Sequence, residues 1–446
     1  MTNHTAATPT DSPIGLPNPA YATSPQQTAT NSFGMGRDAE QLYHLRDLLL
    51  AKAPTVDPEQ IQYVRSPLRI CPLGAHIDHQ LGVVTGMTID RAITLAFAPA
   101  ADSNVSLYST DFDTPVTFDL HAPPPFVAGD WGNYARGAVV ALSQKLPLTQ
   151  GIVGVVGGSM PIGGLSSSAA VTIAYLLALE AIHGGILDPA DNVQLCRATE
   201  NSYIGLNNGI LDQSVILYNQ HERLTRIDCL TMQVDQVIAP SAMHADYEIM
   251  VVYSGVGKAL VGTDYNRRVA ECREAAEGLL TAAGHSHRIE GATRLRHVEP
   301  EIFAEFGEQL PAPLYRRARH FFGEMARVEA GTAAWQAGDL QQFGALMTES
   351  GASSIQWYES GSPPLITLYD ALCNAPGVYG ARFSGAGFRG NCIALVDPRQ
   401  RDAAAEAVGS RYRQNHPDYA DAFSVHFCRP GAGAMVLDGE LLPIVV

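Results

Sequence analysis

Positive charge is what this sequence has least of. Its 446 residues carry 29 Lys and Arg against 45 Asp and Glu, a formal net charge of −16. That balance excludes a general nucleic-acid binder, which needs a basic face. It also means that an anionic ligand is held by a few local cations and a metal, not by the overall field. Cysteine is sparse as well: seven, scattered, odd in number and without a CxxC pair, which excludes a disulfide framework and fits reduced thiols. No apolar run is long enough to span a bilayer. The N-terminus, Met-Thr-Asn-His-Thr-Ala-Ala-Thr-Pro, lacks the basic-then-apolar layout of a secretion signal. These absences predict a cytoplasmic protein with no membrane or nucleic-acid partner. The common P-loop is missing too, because no Lys-Ser or Lys-Thr follows the glycines.

What is present begins with Pro161 to Ala170, Pro-Ile-Gly-Gly-Leu-Ser-Ser-Ser-Ala-Ala. Gly163 and Gly164 allow backbone to approach a ligand, and Ser166, Ser167 and Ser168 offer hydroxyls beside Leu165. The Ala- and Leu-rich run after them predicts a helix over Val171 to Glu180, stopped by Gly184-Gly185. Free N–H groups and the positive dipole end at such a helix start suit a phosphate.

Hydrophobic content of 46% and charged content of 17% describe a globular chain with enough length for two to three domains. Residues 1–35, rich in Thr, Pro, Ser, Asn and Gln, read as a disordered tail. A helix near Asp38 to Ala53 follows, with Leu42, Leu45, Leu48 and Leu49 at helical spacing. Strands are expected at Ile61 to Val64, Gly86 to Ala96, Ser103 to Ser109 and Ile152 to Gly157, with a helix at Asn133 to Gln144. Beyond the strand Tyr247 to Tyr253 come helical patterns at Asp264 to Gly284 and Pro313 to Gln336. Arg382 to Asp397 reads as strand, glycine turn, strand; a helix Arg401 to Asn415 and a strand Ser424 to Phe427 close the chain. The fold class is α+β, with strands and helices in separate layers. A boundary near residue 235 divides 36–235 from 236–446.

Three further stretches carry chemistry. Gly385-Ala-Gly-Phe-Arg-Gly390 matches the dinucleotide fingerprint, but an apolar strand, not a helix, follows it, so that reading fails on context. Asp212 sits between Ile210-Leu211 and Val215-Ile-Leu217, where an uncompensated carboxylate is costly. The turn Asn207-Asn-Gly209 upstream is able to aim it into a cleft. His76-Ile-Asp-His79 lacks the further ligands of a zinc site. Hydroxyl recognition suits it better: Asp78 accepts from two adjacent hydroxyls, and His76 donates or accepts.

Four ordered stretches together resemble the GHMP kinase superfamily, in its galactokinase-like branch. They are Arg65-Ser-Pro-Leu-Arg-Ile-Cys-Pro-Leu-Gly-Ala-His-Ile-Asp-His79, Gly164-Leu-Ser-Ser-Ser-Ala-Ala170, Glu200-Asn-Ser-Tyr-Ile-Gly-Leu-Asn-Asn-Gly-Ile-Leu-Asp-Gln213 and Phe383-Ser-Gly-Ala-Gly-Phe-Arg-Gly-Asn391. The resemblance implies a two-domain GHMP kinase fold, with the active site in the cleft between domains. It implies ATP as co-substrate and Mg²⁺ held by Ser168 and Glu200. It places Asp212 beside an anomeric hydroxyl with Arg69 as its partner, and Tyr265 near the sugar. Asp212 acts there either as base or as electrostatic positioner.

Ala75 then narrows the sugar. Galactokinases generally carry Glu at this position, against the C6 end of the substrate, and a Glu would repel a uronate. Two unit charges about 4 Å apart cost roughly 4 kcal/mol at an effective dielectric of 20. Leu81, where galactokinases often have Asp, removes another negative charge, and Arg389 beside Gly387 adds a cation directed at sugar or phosphates. The implied reaction is phosphorylation of α-D-galacturonate at C1. The alternatives are galactose or another aldose or uronic acid as substrate, or a galactokinase-like sensor without turnover. Monomer and homodimer remain equally open.

Overall fold

The computed structural model describes residues 35–160, 164–257, 264–388 and 390–444. The expected tail therefore lies almost wholly outside the described residues, as do Gly163 and Arg389. The chain enters through α1 (Met35–Lys52), whose Leu42, Leu45 and Leu49 are fully buried, as their helical spacing predicts.

The first sheet has eight strands. In chain order they are β1 (Gln62–Ile70), β2 (Val83–Pro99), β3 (Asn104–Ser109), β4 (Val116–Asp119), β5 (Ile152–Gly158), β6 (Arg223–Asp228) and β7 (Gln233–Ile238), with a last one from the C-terminus. The long β2 serves two neighbours on one side: Val83–Gly86 pairs with β6 and Ile93–Pro99 with β5. Every pair is antiparallel except β3 with β5. The second sheet is antiparallel and built from β8 (Glu248–Tyr253), β9 (Val378–Phe383), β10 (Asn391–Val396) and β11 (Ser424–Cys428), in the order β11-β8-β10-β9. The chain finally returns to the first sheet as β12 (Met435–Leu437), against β1.

Helices cover both sheets. α2 (Asn133–Leu142), α3 (Ser167–Ile182), α4 (Pro189–Ala198) and α5 (Leu211–Tyr218) belong to the first half. The second half holds α6 (Tyr265–Ala282), α7 (Pro300–Phe306), α8 (Ala312–Ala337), α9 (Leu340–Ser353), α10 (Pro363–Cys373) and α11 (Arg401–Asn415). α3 is buried almost all round from Ala169 to Glu180, which is why it reads as an Ala- and Leu-rich run without a polar face. None of the described helices is long and apolar enough to cross a membrane.

The layered α+β class stands as expected. Residue 235, near which a boundary was expected, falls inside β7, which pairs with β6 along its whole length. The chain leaves the first sheet only after Ile238, and β12 brings it back, so the first sheet is not built from one continuous stretch, whereas the second takes all four of its strands from one.

Candidate active site

Arg69 and Asp212 meet across 143 residues of sequence. Arg69 lies near the end of β1, past an irregularity in its pairing with β2, and Asp212 stands in the first turn of α5, where a helix start favours a carboxylate. Arg69 Nε donates to Asp212 Oδ1 at 2.9 Å, and Nη2 donates to the same oxygen. Burial alone would depress the Arg69 guanidinium, but the Asp212 charge and hydrogen bonds outweigh it and leave its pKa raised. Asp212 keeps a quarter of its side chain exposed to the cleft. The third guanidinium nitrogen, Nη1, is buried without a partner, so Arg69 has a donor in reserve.

Glu200 sits in a π-helical turn (Thr199–Ile204) that continues α4. It is fully buried; Oε2 accepts from Asn208 Nδ2 at 3.1 Å, whereas Oε1 has no partner. Burial, and then the charge of Asp212, push its pKa up to about 7, against hydrogen bonds from Asn208 and Ser168. Ser168, Asn208 and Asp212 line the cleft, with Glu200 just behind them. A buried carboxylate oxygen lacking a donor, beside a hydroxyl, is a hard-oxygen pair that fits Mg²⁺.

The β1–β2 connection supplies the next group. Gly74 has φ +90° and no room for a side chain, since a Cβ would meet the Val84 Cα at 2.6 Å. His76 follows in the left-handed region, φ 60°, a conformation that a non-glycine residue adopts only when its surroundings hold it. The Tyr358 ring does so, stacked on His76 at 4.2 Å and 3°. Burial drives the His76 pKa well below its ordinary value, so the ring is neutral. His79 is engaged on both nitrogens, Nε2 with the Tyr358 hydroxyl at 3.1 Å and Nδ1 with Gln80 Nε2 at 2.9 Å. Asp78 Oδ2 accepts from the Leu211 N–H at 3.4 Å; burial and the Asp212 charge push its pKa to about 6. Tyr265 opens α6, and burial keeps its phenol protonated. Ala75 presents its methyl to the cleft. Its N–H donates to Glu324 Oε2 at 3.2 Å, and its carbonyl faces His320 Nε2 at 2.9 Å.

The two glycine motifs touch each other. A Cβ on Gly164 (φ +72°) would meet the Asn391 N–H nitrogen at 2.9 Å, and one on Gly385 (φ +69°) would meet the Gly164 carbonyl at 3.0 Å. Ser166, at φ 62°, turns the chain into α3, so that Ser166, Ser167 and Ser168 edge the cleft at a helix N-terminus. Beyond Gly385 the chain enters β10, not a helix, so the dinucleotide reading fails in three dimensions as well.

One cleft of about 620 Å³ gathers Arg69, Ala75, His76, Asp78, Gly164, Ser166, Ser167, Ser168, Asp212, Tyr265 and Gly387. Two residues singled out in the sequence do not line it. Leu165 points into the core at 1% exposure, its carbonyl accepting from the Arg69 N–H at 3.3 Å. Leu81 is not among the residues lining the cleft; it closes a 3₁₀ turn in the left-handed region. Two features were missed. Arg382 lines the cleft from β9. An aromatic arm is formed by Phe112, Phe126, Trp131 and Tyr134, in which Phe112 and Trp131 lie nearly parallel at 5.8 Å. These come from separate segments with no common spacing, and no sequence signal marks them.

A glycine-serine loop at a helix start, packed on a second glycine turn and facing a paired Arg and Asp between two sheets, defines the class: a GHMP kinase. The comparisons agree. The family model for the GHMP kinase N-terminal domain matches residues 133–220, and that for the C-terminal domain residues 332–414. The chain is 44% identical over 405 residues to a galacturonokinase of Arabidopsis thaliana, covering 85% of this chain and 95% of that protein. Galactokinase of Lactococcus lactis, solved with galactose, superposes with a TM-score of 0.80 at 31% identity, over 88% of this chain and 99% of that one. Mevalonate kinase of Methanococcus jannaschii shares the fold at a TM-score of 0.58, with 16% identity over 82% and 98% of the two chains. This chain belongs to the GHMP kinase family.

Proposed function

We propose that this protein transfers the γ-phosphoryl group of ATP to the anomeric hydroxyl of α-D-galacturonate, releasing ADP and galacturonate 1-phosphate. The observation that carries the reading is the cleft itself. It pairs Asp212 with Arg69 and, in the same wall, has Ala75, which carries no carboxylate. Likeness to a galacturonokinase over most of the chain supports the same sugar.

Asp212 orients the anomeric hydroxyl and accepts its proton as the oxygen–phosphorus bond forms and the bond to the β-phosphate oxygen breaks. Arg69 anchors Asp212 through its hydrogen bonds, and its spare Nη1 meets the charge spreading over the transferred group. His76 and Asp78 hold ring hydroxyls, with the Tyr265 ring against the sugar. Ser166, Ser167 and the α3 N-terminus receive the phosphates, and the aromatic arm takes the flat base of the nucleotide. Ser168 and Glu200 would hold Mg²⁺, which would neutralise phosphate charge.

The experiment is a sugar panel for ATP-dependent phosphorylation, with galacturonate, glucuronate, galactose and arabinose side by side, in the parent and in Ala75→Glu. Galacturonate is expected to lead in the parent. In Ala75→Glu its kcat/KM should fall by roughly 5- to 150-fold relative to that for galactose, since screening blunts the repulsion to about 1–3 kcal/mol. A parent that prefers galactose, or a ratio unmoved by the substitution, overturns galacturonate as the substrate.

A further inference from the structure

Arg382 is 1% exposed, on β9, with its side chain at the cleft wall. Its Nε donates to the Phe383 carbonyl at 2.9 Å and its Nη1 to Ser350 Oγ at 2.8 Å. Both partners are neutral. Among the described residues, no Asp or Glu oxygen lies within the 4.0 Å of an ion pair with it. A guanidinium does not shed its proton in a protein, so this is a buried charge with no counter-ion of its own.

The surrounding groups do not cancel it. Ser350 Oγ passes the contact on, donating to Glu324 Oε2 at 2.9 Å. That same oxygen takes the N–H groups of Gly74 and Ala75 at 2.9 and 3.2 Å. Glu324 already has a partner, Arg327, whose Nε lies 2.6 Å from Oε1. His320, against the Ala75 carbonyl, is kept neutral by burial, as are His76 and the Cys71 thiol. Arg382 helps to keep Glu324 charged, as Arg327 does more strongly, so two guanidiniums share one carboxylate and one positive charge is left over among these groups. A short hydrogen-bonded chain, Arg382 to Ser350 to Glu324 to Ala75, ties that charge to Ala75 in the cleft wall.

We propose that Arg382 is the specificity-determining cation of this site, the group that receives the C6 carboxylate of a hexuronate whose C1 hydroxyl lies at Asp212. The proposal rests on the hexuronate reading given above. The Ala75 methyl leaves the space, and Arg382 supplies the charge. Ser350 and Glu324 act as positioning residues, fixing the guanidinium on one side so that Nη2 is presented to the ligand. The loss of a carboxylate at position 75 and the surplus cation then serve one purpose.

The test is the ratio of kcat/KM for galacturonate to that for galactose, in the parent, Arg382→Gln and Arg382→Lys. Truncating one partner of a buried charge pair predicts a fall in the ratio of roughly 30-fold or more in Arg382→Gln, carried mainly by KM for galacturonate. Arg382→Lys keeps the charge and should hold the ratio closer to the parent's. Equal losses with both sugars would make Arg382 a structural residue and overturn the inference while leaving galacturonate as substrate. A parent inactive on galacturonate overturns the hexuronate reading itself, a separate result. Where the variants fail to fold, a crystal structure of the parent with galacturonate decides. Its carboxylate is expected at hydrogen-bonding distance from the Arg382 guanidinium, and a carboxylate directed elsewhere ends the proposal.

Discussion

Asp212 and Glu200 are carboxylates twelve positions apart in sequence, and their surroundings give them different work. Asp212 has an arginine on one oxygen and an open face to the cleft; Glu200 is sealed, with one oxygen unmatched. Asp212→Asn keeps the size and a hydrogen-bonding oxygen for Arg69 but removes the proton acceptor. Its kcat should drop by about 10²–10⁴, with nucleotide affinity close to the parent's. Near-normal turnover by a folded variant would take Asp212 out of the chemistry. For Glu200, activity is expected to be lost on chelation of divalent cations and restored by Mg²⁺, and Glu200→Ala should raise the Mg²⁺ concentration giving half-maximal rate. A Mg²⁺ titration that superimposes on the parent's would leave Glu200 as a packing residue only.

At the scale of elements, α3 carries a second unusual carboxylate. Glu180 is fully buried near its end, and Oε2 accepts from the Leu187 N–H at 2.9 Å and from Asn192 Nδ2 at 3.1 Å, tying α3 to α4. Its Oε1 has no partner, and burial pushes the pKa up to about 7. The folded state therefore binds this proton more tightly than the unfolded chain. The stabilisation is complete below the unfolded value, about 4.3, and is lost as pH rises through about 7. Glu180→Gln keeps the acceptor without the charge. It should be more stable than the parent at pH 8, by about 1–3 kcal/mol, and close to it at pH 5. Thermal unfolding at the two pH values checks this; a difference of the same size at both would refute the buried-charge account.

The elements legible in the sequence are those whose signal is local. α11 runs from Arg401 to Asn415, as its pattern predicts, and the strand–turn–strand around Gly385 follows from its flanks. α9 was missed for a physical reason. Gly344 and Gly351 lower its helix propensity, yet α9 needs Gly344, because a Cβ there would meet the Tyr379 carbonyl of β9 at 2.3 Å. The polar β6–β7 hairpin has no composition break at residue 235, and β12 is three residues long with a partner some 370 residues away. In the site, Arg69, Ala75, His76, Asp78 and Asp212 stood within recognisable motifs. Arg382 stands just ahead of one, and reads as an ordinary strand residue until tertiary structure shows it to be buried without an ion pair among the described residues.

For the whole molecule, the question is whether the two halves act as one body. The largest core cluster answers it by joining Leu95 and Phe97 of β2, Ile249 and Val251 of β8, Ile393 and Leu395 of β10, and Val436 of β12. The C-terminal segment adds a strap: the Gly431 N–H donates to the Thr88 carbonyl at 2.9 Å, the Ala434 N–H to the Ile216 carbonyl at 2.7 Å, and β12 pairs with β1. Neither sheet can come apart while the other keeps its apolar faces covered. Unfolding is therefore expected as a single cooperative transition, with calorimetric and van 't Hoff enthalpies in agreement, although chains of this length often unfold in steps. Because the cleft is walled by both halves, a sugar held there must move that whole transition. At a concentration 100 times its Kd, the shift corresponds to about 2.7 kcal/mol. Differential scanning calorimetry with and without galacturonate reads both quantities at once. Two transitions, of which only one shifts with the sugar, would mean that the halves fold separately and that one of them alone holds the substrate.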